Sequence, residues 1–151
     1  MAVVRTIDHG LDDLLRQADV LNGSGVKVGI QADVANYIDN RMDVLDVAMI
    51  NEFGTATIPA RPFVAGAADK YRQDIATVMD GLGRKVESGS ANADTAMEEL
   101  GQWYEARQKD HIRSGEFEEN AASTIAKKGS SVPLIDNAIM INTVRYEVLK
   151  K

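Results

Sequence analysis

Side chains that could carry catalysis are few in this chain of 151 residues, and they do not converge. Its two histidines, His9 and His111, belong to no H-E-x-x-H zinc motif, and no serine lies in a G-x-S-x-G turn. The acidic pairs Asp12-Asp13 and Glu98-Glu99 fall in segments with a helical pattern, where neighbouring residues point about 100° apart. Their carboxylates therefore diverge, and we interpret them as solvated helix faces rather than as an acid–base pair.

Metal-binding and phosphate-binding patterns are missing from the sequence as well. Glu116, Glu118 and Glu119 are acidic neighbours, but they lack the alternating D-x-D-x-D-G spacing of a calcium loop. Gly81-Leu82-Gly83 lacks the G-x-x-x-x-G-K sequence that cradles phosphate. Because the chain has no cysteine, it has no thiolate nucleophile, disulfide or cysteine-based zinc site. The sequence therefore predicts a protein that is not an enzyme and that uses no cofactor or metal.

Charge and hydropathy narrow the classes of partner. The net charge is −6 and the lysines and arginines are scattered, whereas proteins that grip nucleic acid normally carry a basic patch. The one basic doublet in a loop, Lys127-Lys128, serves either solubility or contact with an acidic neighbouring subunit or with DNA. No apolar run approaches the ~20 residues that cross a bilayer, and the first residues lack the pattern of a signal peptide. We expect no membrane partner, and synthesis in a reducing cytoplasm.

Periodic patterns place four helices along the chain. Apolar residues recur at helical spacing in residues 7–21, 43–53, 65–87 and 92–113. The last two helices are long and joined by a short Gly/Ser turn, which predicts an antiparallel helical hairpin. Alternating or β-branched stretches predict strands at Val26–Ile30 and Thr143–Leu149, with a short third strand at Phe63–Val64. The expected fold class is α+β, with a small, mostly antiparallel sheet packed against an N-terminal helix and the long helical hairpin.

A single domain over residues 1–151 is expected, because the length is that of one typical domain. Residues 115–132 are polar and interrupted by Gly129, which predicts a flexible, exposed loop. This loop and the N-terminal helix are the segments that we expect to dock to neighbouring molecules.

The densest cluster of structural signals is Asn51–Val64, with the sequence N-E-F-G-T-A-T-I-P-A-R-P-F-V. Phe53 closes a helical pattern, and Gly54 is the residue type that commonly ends a helix in a left-handed conformation. Pro59 and Pro62 bias the residues before them towards extended backbone, which predicts a stiff turn. We refer to Asn51–Val64 as the corner.

Two questions about the corner stay open at the level of sequence. Glu52 and Arg61 flank it, and they either form a partly buried ion pair that fixes the turn or leave Arg61 to reach a neighbouring subunit. The apolar residues of the turn either belong to the core or form a patch that a partner covers. These apolar residues are Ile58, Pro59, Pro62 and Phe63.

The corner resembles a signature of the neck proteins of tailed bacteriophages, the head–tail connector or tail-completion family. In that family a helix ends in E-F-G-T and is followed by a P-x-R-P-F segment and a long helix. The matching residues in this chain are Glu52, Phe53, Gly54, Thr55, Pro59, Arg61, Pro62 and Phe63.

A second segment, residues 121–148, resembles the same family. The family pattern there is T-I-x-x-K, a small polar loop, P-L-I-D, a helical turn and a closing strand. The chain departs from this pattern at Asn137-Ala138, where the family usually has Thr-Gly. The matching residues are Thr124, Ile125, Lys128, Pro133, Leu134, Ile135, Asp136, Asn142, Val144, Tyr146 and Val148.

The resemblance implies a structural virion protein that is made in the bacterial host cytoplasm and forms a ring in the neck of a tailed phage. The implied partners are copies of itself in a hexamer or dodecamer, a portal-side adaptor or connector, and tail terminator or tail tube proteins. Genomic DNA would pass through the channel without sequence-specific binding. The alternatives are a tail terminator that caps the tail tube, or a soluble nucleic-acid-binding or regulatory module, against which the acidic charge counts.

Overall fold

The computed structural model describes residues 10–31, 43–117 and 139–150. Over these ranges the fold is α+β, mostly helical with a two-stranded antiparallel sheet, and the predicted fold class is confirmed. No helix in these ranges is both long enough and apolar enough to span a membrane. The elements are α1 (Leu11–Gly23), β1 (Gly25–Ile30), α2 (Val44–Phe53), α3 (Phe63–Lys70), α4 (Arg72–Glu87), α5 (Ala93–Ser114), α6 (Ile139–Thr143) and β2 (Val144–Leu149).

Most helix ends coincide with residues whose chemistry ends or begins a helix. Asp43 accepts the amide of Leu45 at 3.2 Å to cap α2, and Asn92 accepts the amide of Thr95 at 2.8 Å to cap α5. The N-terminal helix begins at Leu11, after a left-handed Gly10 with φ of 98°, so it starts later than the predicted residue 7.

Two predictions about residues 63–87 are wrong. Phe63–Val64 is not a strand but the first turn of α3, because the amides of Val64 and Ala65 donate to the carboxylate of Glu52 at 2.9 and 3.0 Å. An anionic acceptor at free amides favours a helix start. The helix predicted over residues 65–87 is interrupted at Tyr71, whose ψ of 12° departs from the helical value.

The sheet lies on α5. β1 and β2 pair antiparallel, with Val28 opposite Tyr146, and β2 alternates between inward and outward side chains as predicted. The ring of Tyr146 occupies the space in which a Cβ of Gly101 would stand, so only glycine lets the strand approach the helix this closely. The predicted strand start, Thr143, is instead the last residue of α6.

The buried residues form two clusters. The larger one joins α2, α3, α5, α6 and β2, and the smaller one lies between α4 and α5, with Leu21 of α1 packed against it. Gln17 of α1 also accepts the amide of Ala93 at 2.7 Å, which ties α1 to the start of α5. The larger cluster consists of Ala48, Phe63, Ile112, Met140, Ile141 and Val144, and the smaller one of Leu82, Val86 and Ala96.

Candidate functional site

The corner is a closed turn held by backbone hydrogen bonds. The amide of Arg61 donates to the carbonyl of Asn51 at 2.6 Å, and the amide of Thr55 donates to the carbonyl of Ile58 at 2.8 Å. The amide of Ile58 in turn donates to the Thr55 hydroxyl at 3.1 Å. The segment that runs from the end of α2 to the two prolines is therefore fixed relative to both α2 and α3.

Gly54 is required by this turn. Its φ of 71° and ψ of −179° place it in a region that essentially only glycine adopts. A Cβ at Gly54 would lie 2.8 Å from the backbone nitrogen of Ala60 and 2.9 Å from the carbonyl oxygen of Ile58. The glycine of the E-F-G-T motif thus allows the chain to fold back tightly on itself.

Glu52 and Arg61 have separate structural roles in the corner. Both carboxylate oxygens of Glu52 accept amides at the start of α3, rather than meeting Arg61 as the predicted ion pair required. Arg61 is only 5% exposed, and its guanidinium donates to the side chain of Asn51 at 3.3 Å. Because Arg61 is buried within the subunit, the alternative that it reaches a neighbouring subunit is not supported either.

The apolar residues of the corner divide between core and surface. Phe63 is 1% exposed and belongs to the larger core cluster. Ile58 is 37% exposed, and Pro62, the residue before α3, is also on the surface. The corner therefore anchors Phe63 inside, leaves Pro59 half-buried and presents Ile58 and Pro62 outside.

An apolar stripe on α2 continues this surface. Leu45, Met49 and Phe53 follow one another at four-residue intervals, so they lie on one face of the helix. They are 37%, 52% and 75% exposed, while Val44 and Ala48, about 100° around the helix from Leu45 and Met49, are buried. We call Leu45, Met49 and Phe53 the α2 stripe.

The α2 stripe could have been found in the sequence. Seven of the ten residues in V-L-D-V-A-M-I-N-E-F are apolar, and they are distributed around the whole helix. A helix that is apolar all round is expected to be covered on all sides. In the described part of the chain α2 is covered on one side only, and of the α2 stripe the sequence singled out only Phe53 as a site residue.

A second apolar surface lies on α1. No residue of this helix is buried, and Leu11, Leu14 and Leu15 are 61%, 39% and 58% exposed. The predicted amphipathic face exists, but only its C-terminal end, at Leu21, packs on the core. This exposure is consistent with the expectation that the N-terminal helix docks to another molecule.

The predicted loop at 115–132 begins in an ordered way. Glu116 accepts a hydrogen bond from Lys70 at 2.6 Å, which lowers the pKa of Glu116 and raises that of Lys70. Phe117 packs edge-on against His111, with ring centres 5.0 Å apart. These contacts attach Glu116 to α3 and Phe117 to α5, and residues 118–132 lie outside the described ranges.

His111, which belongs to no catalytic or metal motif of the sequence, is a buried histidine. It is 7% exposed, and within the described residues neither ring nitrogen has a hydrogen-bond partner. Burial, and to a lesser extent the charge of Lys70, lower the pKa of His111. The imidazole is therefore held in its neutral form near pH 7.

Tyr146, one of the matched residues of the closing strand, connects β2 to α5. Its hydroxyl donates to Glu98 at 2.8 Å and accepts from Gln102 at 3.3 Å, while its backbone amide donates to Glu105 at 2.9 Å. Lys109 in turn donates to Glu105 at 2.6 Å. The role of Tyr146 in this structure is therefore to fix the strand on the helix.

The remaining sequence-predicted site residues lie outside the described ranges. The basic doublet and the P-L-I-D segment both fall within residues 118–138. The contacts of these residues are therefore not part of the site described above. These residues are Lys127, Lys128, Pro133, Leu134 and Asp136.

The described side chains do not assemble into a recognisable chemical centre. In residues 10–31, 43–117 and 139–150 no group of three or more histidine, aspartate or glutamate side chains is placed to hold a metal ion. Comparison of the chain with protein-family models, with curated proteins and with solved structures finds no match. The functional argument therefore depends on the corner, the α2 stripe and the other exposed apolar surfaces.

Proposed function

We propose that this protein is a non-enzymatic structural protein of a tailed phage, and that it assembles into a ring at the head–tail joint through which DNA passes. The observation that carries the proposal is the α2 stripe beside the corner. The signature residues build a rigid turn, and one of them, Phe53, remains 75% exposed at the end of α2, a helix in which seven of ten residues are apolar. A large aromatic side chain in that position is suited to a partner surface.

A ring of identical subunits needs two different complementary surfaces on each subunit. The described residues offer distinct apolar surfaces: the α2 stripe with Ile58, and the leucines at the start of α1. A heterologous contact between such surfaces closes into a ring when the rotation between subunits permits. The net charge of −6, repeated around the ring, would favour passage of DNA rather than its retention, if the carboxylates face the channel.

The test is the oligomeric state of surface variants. Phe53→Ser removes the aromatic side chain of the α2 stripe. The control, Leu149→Ser, removes an apolar side chain that is 45% exposed at the end of β2. Mass photometry should show a closed oligomer for the wild type and for Leu149→Ser, and smaller species for Phe53→Ser. Thermal unfolding of each variant separates loss of assembly from loss of folding.

Two outcomes would count against the proposal. One is a wild-type chain that stays monomeric at every concentration and does not associate with phage connector or tail proteins. The other is specific binding to duplex DNA that weakens steeply with salt, which would favour the nucleic-acid-binding alternative. Genes for portal, capsid and tail proteins beside this gene would independently support the proposed role in a phage neck.

A further inference from the structure

An apolar groove of about 330 Å³ runs between β1 and α4. Its floor is one face of α5, carrying Met97, Leu100 and Tyr104. Around the axis of α5, one neighbouring face lies beneath β2 and includes Glu98 and Gly101. The face on the other side is turned towards α4. Burial raises the pKa of Tyr104. The walls of the groove are Ser24, Gly25, Val26 and Val28 on the strand side and Ile75 and Met79 on α4.

The edge of β1 that borders this groove is open in the described part of the chain. On the other edge of the sheet, Tyr146 donates its amide to Glu105, so this amide points away from β1. When one residue of an antiparallel pair points its amide away from the partner strand, the residue directly opposite does the same. Val28 is opposite Tyr146. The amide and carbonyl of Val28 therefore point away from β2, and no described strand pairs with them.

An open strand edge beside an apolar groove is the arrangement that accepts an extended peptide. The peptide pairs with the edge through its backbone and places alternate side chains in the groove. An unpaired edge is otherwise a liability that proteins cover or charge. The edge of β2 is covered by a side chain of α5, and among the described residues the edge of β1 has no covering strand.

We propose that the groove receives residues Ala2–Ile7 of a neighbouring copy of this chain, an inference that rests on the proposed ring. The sequence A-V-V-R-T-I is rich in β-branched residues, which favour strand pairing. It precedes Gly10, the left-handed residue with φ of 98° after which α1 begins, so it belongs to no described element. We call Ala2–Ile7 the arm.

The distances favour the arm of another copy over the arm of the same copy. α1 has 13 residues and is therefore about 20 Å long, and the groove begins at Ser24, beyond its far end. From Leu11 back to Val4 a fully extended chain spans at most about 25 Å. Even when fully stretched along the whole of α1, the arm of the same copy would place only about its first three residues beyond Ser24, too few to pair along the six residues of β1.

This placement makes the contact heterologous. The arm leaves one end of α1 and the groove begins at the other, so each subunit donates at one side and accepts at the other. Such head-to-tail contacts propagate around a ring. The inference thus adds a specific subunit contact to the proposed assembly.

The absence of cysteine allows a direct test by disulfide cross-linking. Full-length Val3→Cys is mixed with full-length Met79→Cys, whose side chain lines the groove, and oxidised mildly at a concentration where the wild type is oligomeric. The matched control is Asp80→Cys, the next residue on α4, which pairs with Arg84 on the outer surface. Met97→Cys is a second groove position in case Met79→Cys folds poorly.

Because an arm held in the groove raises the local thiol concentration, Val3→Cys should cross-link to Met79→Cys about tenfold more than to Asp80→Cys. Equal cross-linking to both positions, in samples that still form the oligomer, would overturn the inference and leave the proposed ring intact. A Val3→Cys/Met79→Cys double variant that closes only within its own chain would also overturn it. Absence of any oligomer would instead refute the proposed function.

Discussion

Substitution of Gly54 by alanine tests the central structural reading of the corner. The new Cβ would lie 2.8 Å from the nitrogen of Ala60 and 2.9 Å from the carbonyl oxygen of Ile58, and both are backbone atoms that cannot rotate away. The strained backbone region itself costs about 1–3 kcal/mol for a residue other than glycine. Opening the turn would also lose the Thr55–Ile58 hydrogen bond, worth about 1 kcal/mol. The expected loss of stability is therefore about 2–4 kcal/mol.

For a domain of this size that loss lowers the melting temperature by about 5–15 °C, which circular dichroism can follow. The matched control is Gly81→Ala, because Gly81 lies inside α4 and a Cβ there would meet nothing within 4 Å. This change should raise stability by about 1 kcal/mol, since alanine favours a helix more than glycine does. Loss of less than about 1 kcal/mol in Gly54→Ala, or equal effects of the two variants, would refute the account of the corner.

Three further changes have expected outcomes. Glu52→Ala removes the acceptor of two α3 amides and should cost about 1–2 kcal/mol in urea unfolding, whereas Glu87→Ala on the exposed end of α4 should change stability by less than about 0.5 kcal/mol. Gly101→Ala should cost about 2 kcal/mol or more because the ring of Tyr146 must move, while Gly83→Ala, with open space, should not destabilise. Because the pKa of His111 is lower in the folded protein than in the unfolded chain, the unfolded chain takes up a proton on this imidazole at a higher pH. Stability should therefore be fully present above about pH 6.5 and fall as the pH drops below it. His111→Asn should flatten that decline in urea titrations at pH 7 and pH 5, and an unchanged slope would contradict the assignment.

Several helices and a strand were predictable from the sequence. Helices α2 and α5, the caps at their starts, and the alternating strand β2 follow from local residue patterns. These elements form because residues three, four or two positions apart share a face. The fold class was accessible for the same reason.

The errors arose where a distant residue decides the local structure. Phe63–Val64 has β-forming residues, but the carboxylate of Glu52, brought across the corner, turns its amides into a helix start. No local pattern shows that pairing, and the same carboxylate was expected to meet Arg61. The close approach of Tyr146 to Gly101 likewise joins residues from different elements.

Of the candidate site, the position of the corner was predictable and its exposed neighbours were only partly so. The sequence singled out Phe53, but Leu45 and Met49 were assigned to a helical pattern without a partner face. An apolar pattern on every side of a short helix carries that signal. The groove beside β1 needed three elements to be placed together, so no sequence pattern could indicate it.

The proposal of a neck ring is tested most directly by electron microscopy of the purified full-length protein, alone and mixed with phage connector and tail proteins. The account predicts closed rings of one symmetry with a central channel, and loss of those rings in Phe53→Ser under the same conditions. Isolated subunits in both samples, or open filaments in place of rings, would contradict it.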